Sequence, residues 1–368
     1  MRNLSKNEIM PTYVIDAARA RTRTVFRRMC SLITLAVLSV SLFGCAKQAP
    51  ARYEQMFLDV FDTVTTVVLY ADDEASANAR FSELHALLLE YHRLYDIYHT
   101  YDGLNNLCTV NQNAGIAPVA VDGRILDLVD YARQMDALTS GRMNIAMGNV
   151  LQLWQDYRDA GLEDPDHAAL PPQEALETAN AHSQIDNVVV DRAAGTLYVS
   201  DAQTRVDVGA IGKGYAAQKA MEVMRSEGVT SMLLSIGGNV CSIGARPDGT
   251  PWKVAIRDPY SDGNLCVTQV SGQSVVTSGT YERYYTVDGK RYHHIIDPAT
   301  LMPSAYYDSV TVISEDSALA DALTTGLFCM PIAEGEALVA SLDGVEAFWV
   351  LSDGVTAQSG GFSAYLVK

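Results

Sequence analysis

Two side chains on one predicted helix could hold a divalent cation. Residues 317–330, SALADALTTGLFCM, are almost entirely apolar, and a helix without a polar face is typically buried. Asp321 and Thr325 lie four positions apart, so both project from the same face of that helix. Burial of an unpaired carboxylate is costly, and a carboxylate together with a hydroxyl oxygen suits Mg²⁺. Alternatively, Thr325 bonds back to the Asp321 carbonyl and Asp321 meets a Lys or Arg.

A glycine-rich segment could bind phosphate. Residues 206–216, VDVGAIGKGYA, run from a predicted strand through Gly209, Gly212 and Gly214 into a helix, with Lys213 at its start. Glycines let the backbone approach a ligand, helix-start amides attract anions, and the Lys adds a positive charge. The spacing matches neither a Walker A loop nor a Rossmann fingerprint. A plain strand-to-helix turn explains the segment equally well.

Two other segments concentrate glycines and polar residues at predicted strand ends. Residues 234–240, LSIGGNV, end a strand in paired glycines, for which a tight turn is the simpler interpretation. Residues 276–298, VTSGTYERYYTVDGKRYHHIIDP, contain two His and four Tyr. A lone His is usually structural, but His294 comes at a strand end, where side chains project into clefts. The tyrosines alternatively pair across a hairpin centred on Asp288-Gly289.

These candidate residues depend on the elements that position them. Helical periods predict helices over 73–98, 124–138, 213–227, 317–330 and 332–341, with one short helix in an exposed excursion at 158–184. β-Branched and aromatic runs predict a strand with a turn near Asp62 at 56–70, and hairpins at 187–199 and 281–296. They also predict single strands at 231–236, 252–256, 267–270, 274–277, 309–313, 347–351 and 362–366. Hairpins interspersed with helices, without a regular βαβ alternation, indicate an α+β fold.

Composition and charge exclude several classes of protein. Of the 368 residues, 48% are hydrophobic, and 27 Lys and Arg stand against 44 Asp and Glu, for a net charge of −17. Such an apolar share supports a sizeable core rather than a disordered or fibrous chain. The acidic balance argues against nucleic acid as a partner. Any phosphate-bearing ligand must then be met locally, by backbone amides or a metal.

The first 44 residues differ in charge from the rest and form a predicted export signal. They carry seven basic and two acidic side chains, a net +5, which leaves −22 for the remainder. Arg27 and Arg28 precede an uncharged run over 29–43, too short for a comfortable membrane span. The ending LFGC at Cys45 resembles a bacterial lipobox, whose cysteine is lipidated. We expect a lipoprotein with a tether over 45–55 at the extracytoplasmic face of the cell membrane; an uncleaved anchor helix is the alternative.

Taken jointly, the motifs resemble those of the ApbE family, the FAD:protein FMN transferases. The resemblance rests on VDVGAIGKGYA, SIGGNV, PWKVAIRDP, TSGTYERYY, YHHIIDPAT and ADALTT, in this order, preceded by TYDGLNNLCTVNQ and GRMNIAMGNVLQLW. It covers nearly all of residues 56–368. It implies one α+β catalytic domain over 56–368, with mixed, largely antiparallel sheets, packed helices and an FAD cleft.

The resemblance also implies a reaction and a set of site residues. The family cleaves FAD at its pyrophosphate and passes FMN to a Thr or Ser hydroxyl of a target protein, releasing AMP. The backbone carbonyl of Ala210 and the side chains of Asp321 and Thr325 would bind Mg²⁺, and His294 is the candidate that activates the incoming hydroxyl. The implied FAD contacts are Phe61, Tyr101, Met143, Asn144, Asp207, Lys213, Gly237, Gly238, Asn239 and Ile295.

Two other functions stay open, and two positions depart from the family pattern. A Mg²⁺-dependent FAD pyrophosphatase would use water in place of the protein hydroxyl, and a non-catalytic lipoprotein would only bind FAD. The implied acceptor is an exported protein, such as a membrane-linked electron-transfer subunit. Asn144 stands where the family often has Asp, and Leu301 replaces a glycine that commonly follows the Asp-Pro pair.

Overall fold

A long hairpin opens the described region, which is residues 49–367 of a computed structural model. Its strands are β1 (Ala51–Val60) and β2 (Thr63–Ala71). The predicted turn is present at Phe61 and Asp62, which both have positive φ, 55° and 50°. Two-residue turns of this hand match the right-handed twist of the strands. Because β1 begins at Ala51, residues 51–55 are strand and not the predicted tether, whereas the predicted leader and Cys45 lie outside the described residues.

The remaining elements follow the predicted mixture of helices and hairpins. The helices are α1 (Glu74–Tyr95), α2 (Leu107–Gln112), α3 (Gly123–Leu138), α4 (Gly148–Glu163), α5 (Gln173–Asn180), α6 (Gly212–Ser226), α7 (Ser317–Phe328) and α8 (Ile332–Ala340). The strands are β3 (Val119–Ala120), β4 (Val188–Asp191), β5 (Thr196–Val199), β6 (Met232–Ile236), β7 (Asn239–Ile243), β8 (Trp252–Arg257), β9 (Asn264–Val270), β10 (Ser274–Gly279), β11 (Tyr284–Val287), β12 (Lys290–His293), β13 (Tyr307–Ser314), β14 (Glu346–Leu351) and β15 (Thr356–Gln358). Over residues 49–367, none of the helices combines the length and apolar character needed to cross a membrane.

An eight-stranded sheet is the centre of the fold. Its strand order is β1-β2-β6-β7-β10-β13-β14-β15, and every neighbouring pair is antiparallel. Smaller sheets are formed by β3-β5-β4, by β8-β9 and by β11-β12. Antiparallel sheets packed with helices confirm the predicted α+β class.

Helices and a hairpin cover the central sheet. Leu84 of α1 and Met221 of α6 share a buried cluster with Leu69 and Leu234 of the first strands. A further cluster joins the β8-β9 hairpin to β10, β13 and β14; its members include Trp252, Ile256, Val275, Ile313 and Phe348. Burial of apolar side chains is the dominant favourable term in such packing. The loops that leave the sheet and α6 therefore start from a rigid base.

Three predictions fail for local reasons. Helix α4 was not expected, because its N-cap, Met147, makes no side-chain capping bond and leaves no start signal in the sequence. Residues 362–366, predicted as a strand, contain a 3₁₀ turn at Phe362–Tyr365 in which Phe362 alone is buried. The true last strand is β15, whose three residues are too short to give a pattern.

Helices α6 and α7 touch at a glycine. A Cβ placed on Gly214 would lie 2.3 Å from Cβ of Asp321 and 2.5 Å from the carbonyl oxygen of Ser317. No real side chain fits at that distance, so the two backbones approach as closely as they do only because Gly214 has none. This contact sets the position of Asp321.

We expect Gly214→Ala to lower the free energy of unfolding by about 3 kcal/mol, the upper range for overpacking a tight contact. The added methyl must push α6 away from α7. Urea unfolding followed by circular dichroism measures the change. Gly123→Ala is the matched control, because a Cβ at Gly123 meets nothing within 4 Å; equal stability of the two variants would contradict the packing argument.

Candidate active site

Asp321 is a buried carboxylate with two positive partners. Its side chain is 7% exposed, its Oδ2 accepts a hydrogen bond of 2.7 Å from the Gly214 amide, and the Lys213 ammonium lies 4.0 Å away. Burial raises the pKa of Asp321, while the charge of Lys213 and the Gly214 amide oppose that rise. The structure thus brings together Asp321 and the glycine-rich segment, which the sequence motifs taken singly predicted as two separate features.

The structure separates the roles of two neighbouring threonines. The hydroxyl of Thr324, not that of Thr325, bonds back to the Asp321 carbonyl at 2.8 Å, and it accepts a bond of 3.0 Å from Ser278. Thr325 is half-buried, and its hydroxyl forms no hydrogen bond to any of residues 49–367. The structural alternative for Thr325 is therefore wrong, whereas the one for Asp321 holds in part, since Lys213 is nearby.

A third oxygen is available at Ala210. The amide of Gly214 would normally bond to the carbonyl four residues earlier, but it donates to Asp321 instead. Within the described chain the Ala210 carbonyl consequently accepts no hydrogen bond. A carboxylate, a hydroxyl and a carbonyl are all hard oxygen donors of the kind that Mg²⁺ prefers. The chemistry of these donors fits the predicted metal, and Asp321, Thr325 and Ala210 would hold it.

Asn239 presents a buried donor without a partner. Asn239 is 2% exposed, and its Oδ1 accepts a hydrogen bond of 3.0 Å from the Ser317 hydroxyl. Its Nδ2 has no hydrogen-bond partner in residues 49–367, although the amide is close enough to lower the pKa of Asp321 slightly. An unsatisfied buried donor costs about 1–3 kcal/mol. A ligand oxygen beside Asp321 would satisfy it.

The paired glycines before Asn239 form the tight turn that the sequence favoured. Gly237 and Gly238 connect β6 to β7 with φ of 54° and 90°, which other residues adopt only under strain. Gly237 packs against Thr63, since a Cβ there would lie 2.6 Å from the Thr63 Oγ1. Gly238 faces open space, with nothing within 4 Å of a Cβ. The turn thus leaves one side free for a ligand to approach.

The glycine-rich segment is held by its own polar groups. Asp207 is half-buried, and its Oδ1 accepts a bond of 2.8 Å from the Gly209 amide. Burial raises the pKa of Asp207, and the Gly209 amide and the charges of Arg205, Arg283 and Lys213 oppose the rise. Lys213 donates a long bond of 3.4 Å to the Gly209 carbonyl. Its ammonium is one-third exposed and available to an anion.

His294 lies just past the end of β12, as predicted, and is set up as a base. Its backbone amide and its Nδ1 both donate to the Arg283 carbonyl, at 3.1 Å and 3.2 Å. A bond from Nδ1 to a carbonyl requires the proton on Nδ1, so the exposed Nε2 carries the lone pair. Desolvation and the charges of Arg283 and Lys213 lower the pKa of His294 to about 3. The lowered pKa keeps the imidazole neutral at pH 7.

Arg283 is a site residue that sequence reasoning missed. Its side chain is exposed, and within residues 49–367 it forms no ion pair. Its charge nevertheless acts on His294, Asp207 and Tyr98. The sequence signal for Arg283 was its position in the motif TSGTYERYY, next to the tyrosines that were considered in its place.

The four apolar or aromatic FAD candidates divide into two kinds. Phe61 and Tyr101 are half-buried and can present their rings to a ligand. Met143 is 0% exposed and Ile295 is 5% exposed. Met143 therefore has no exposed surface, and its predicted contact with FAD stays a prediction.

Both departures from the family pattern have structural consequences. Asn144 donates from Nδ2 to the Ser183 carbonyl at 2.9 Å and accepts from the Ala146 amide at 2.8 Å. An Asp could only accept, so the amide suits this environment. Leu301 has a φ of 60°, the left-handed conformation that glycine adopts freely. Its side chain is 5% exposed, and its carbonyl accepts the Trp154 indole N–H at 2.9 Å.

Comparison with known proteins identifies the family. Residues 61–349 match the model of the ApbE family. The chain belongs to the ApbE family. A FAD:protein FMN transferase of Treponema pallidum is 32% identical over 88% of this chain and 92% of its own, and one of Klebsiella pneumoniae is 32% identical over 77% and 84%. The crystal structure of the ApbE protein of Thermotoga maritima superposes with a TM-score of 0.76 at 27% identity, covering 86% of this chain and all of that one. The predicted family and fold are confirmed.

Replacing Arg283 with Gln should move the acidic limb of the pH–rate profile to higher pH. Loss of its charge lets the pKa of His294 rise toward the ordinary 6.5, so more imidazole is protonated, and unable to accept a proton, below pH 7. The profile of kcat/KM between pH 3 and 9 measures the shift.

Arg291→Gln is the control, because Arg291 lies in the same hairpin but stacks on Tyr284 at 4.7 Å. Its acidic limb should coincide with that of the wild type. An unmoved limb in Arg283→Gln would refute the electrostatic role of Arg283.

Proposed function

We propose that this ApbE protein is a Mg²⁺-dependent FAD:protein FMN transferase. Relatives with that name align over most of their length. The observation that carries the proposal is the Asp321 carboxylate, buried at the Gly214 amide and 4.0 Å from Lys213, whose charge also acts on His294. Metal ligands, phosphate-binding cation and base thus belong to one neighbourhood.

Binding of FAD requires local positive charge, because the domain as a whole is acidic. Lys213 and the helix-start amides of α6 would contact the pyrophosphate, and the Nδ2 of Asn239 would donate to one of its oxygens. Bound by Asp321, Thr325 and Ala210, Mg²⁺ would neutralise phosphate charge and polarise the phosphorus. The flavin and adenine rings would meet Phe61 and Tyr101.

His294 would activate the acceptor. Its Nε2 accepts the proton of the incoming Thr or Ser hydroxyl, an effect of roughly 10²–10⁴-fold in rate. The hydroxyl oxygen forms a bond to the phosphorus on the FMN side, and the anhydride bond to the AMP phosphate breaks, so AMP leaves with the electron pair. The product is a phosphoester between FMN and the acceptor protein.

One mass-spectrometric experiment tests the reaction. The protein is incubated with FAD, Mg²⁺ and an exported flavin-acceptor domain, and the acceptor is weighed. A gain of the FMN mass is expected. Free FMN and AMP with an unmodified acceptor would instead establish the pyrophosphatase, and unchanged FAD would leave a binding protein.

Asp321→Asn should reduce FMN transfer by at least about 100-fold, because the variant keeps the shape of the side chain but loses the charge that holds the metal. EDTA should abolish transfer by the wild type, and added Mg²⁺ should restore it. Asp343→Asn, at an exposed carboxylate, should behave as wild type. Undiminished transfer in EDTA would refute the metal assignment.

We also propose that the protein is anchored by lipid at Cys45 on the extracytoplasmic face of the membrane. The acceptor is then an exported protein, with an electron-transfer subunit as the candidate. Cys45→Ala should move the protein from the membrane fraction to the soluble extracytoplasmic fraction, measured by immunoblotting. Unchanged membrane retention would favour an uncleaved anchor helix.

A further inference from the structure

The C-terminal turn of α1 contacts both aromatic residues of the proposed FAD site. This turn is defined here by His92, Arg93 and Asp96, and the rest of α1 packs on the central sheet. We infer that it is a positioning device: His92 and Asp96 hold Phe61 and Tyr101 in place for a flat heterocycle. The inference deepens the proposed function and rests on it.

Asp96 is the centre of this device. Its side chain is 4% exposed, and its oxygens accept four hydrogen bonds: from the amides of Tyr98 at 2.7 Å and His99 at 3.0 Å, from the Tyr101 hydroxyl at 2.8 Å, and from Nδ1 of His99 at 3.1 Å. Burial alone would raise the pKa of Asp96, but these bonds outweigh it and lower the pKa. The group is an ionised carboxylate that closes the turn over 96–101.

The Tyr101 ring is fixed from two directions. Its hydroxyl donates to Oδ2 of Asp96, and desolvation together with this bond raises the pKa of Tyr101 to about 12, so the donor proton is retained. The guanidinium of Arg93 covers one face of the ring, 5.7 Å from its centroid. The opposite face is the one on which a ligand ring can stack.

Phe61 is held by the same turn of helix. Its backbone amide donates to Nδ1 of His92 at 3.1 Å, and the two rings meet edge to face at 5.8 Å. The positive φ of Phe61 is a strained conformation for a non-glycine residue, and the bond to His92 helps to hold it. Asp62, the next residue, is near enough to Tyr101 to act on its pKa. Both aromatic residues are thus bonded to the last turn of α1 or to the residue that follows it.

A preorganised pair of rings improves affinity by reducing what must be ordered on binding. His92 and Asp96 contact Phe61 and Tyr101 rather than the ligand, and they have no part in proton transfer. Substitutions at these two residues should accordingly change the binding of FAD and leave the chemical step almost unaffected. This distinguishes positioning residues from catalytic ones.

The test is a double-mutant cycle on the affinity of the full-length protein for FAD, measured by flavin fluorescence with Mg²⁺ present. Asp96→Asn keeps Oδ1 for the backbone amides of the turn and replaces the charged acceptor Oδ2 with an NH₂ group, so the bond that the Tyr101 hydroxyl donates to a carboxylate is lost. Tyr101→Phe removes the same bond from the other side. Each variant should bind FAD about tenfold more weakly, as expected for loss of a hydrogen bond to a charged group.

The double variant should bind FAD no more weakly than either single variant, because both substitutions break the same bond. The KM for FAD of Asp96→Asn should rise about tenfold while its kcat stays within about twofold of the wild type. Independent, multiplicative losses of affinity would overturn the inference, as would a fall in kcat with KM unchanged.

Further variants separate the possible failures. Should Asp96→Asn fail to fold, as judged by its melting temperature, Tyr101→Phe decides alone: wild-type affinity for FAD would overturn the positioning role of Asp96. Tyr101→Ala probes the underlying assignment. Unchanged affinity in Tyr101→Ala would remove Tyr101 from the proposed FAD site, whereas weakened binding there with normal binding in Asp96→Asn would refute the inference only.

Discussion

The hydrogen bond between the Gly214 amide and the Asp321 carboxylate organises the molecule around its site. It exists because Gly214 has no side chain, which allows α6 and α7 to meet backbone to side chain. It places an ionisable group in the interior, and it diverts an amide away from Ala210. One contact therefore couples helix packing, the charge of the site and the availability of a ligand oxygen.

Local charge, and not net charge, decides what this acidic domain can bind. The basic groups near the site include Lys213 and Arg283, and neither has a carboxylate within hydrogen-bonding distance. Typical surface ion pairs, such as Arg192 with Asp127, leave little charge for a ligand. Two cations without a close carboxylate, one of them 4.0 Å from Asp321, favour the binding of a phosphate group near Lys213.

Sequence reasoning located the elements better than the contacts. Periodicity and β-branched runs predicted the hairpins and long helices. The carboxylate of Asp321 on an otherwise apolar helix indicated the central charge of the site. Sequence reasoning could not separate Thr324 from Thr325, because both lie within one turn and only packing decides which hydroxyl turns inward. Asp96 was equally invisible, since its partners come from the irregular turn that follows it. Such contacts depend on tertiary geometry that local patterns do not encode.

Leu301 keeps a conformation that glycine would adopt without strain. Its left-handed backbone costs about 1–2 kcal/mol relative to glycine, yet its buried side chain shares a cluster with Trp154. Truncating a buried leucine typically costs about 2–5 kcal/mol, which exceeds the strain that glycine would relieve. Glycine at position 301 would therefore destabilise this fold unless its neighbours repacked. The residue that best suits the backbone of this loop differs from the residue that best suits its packing.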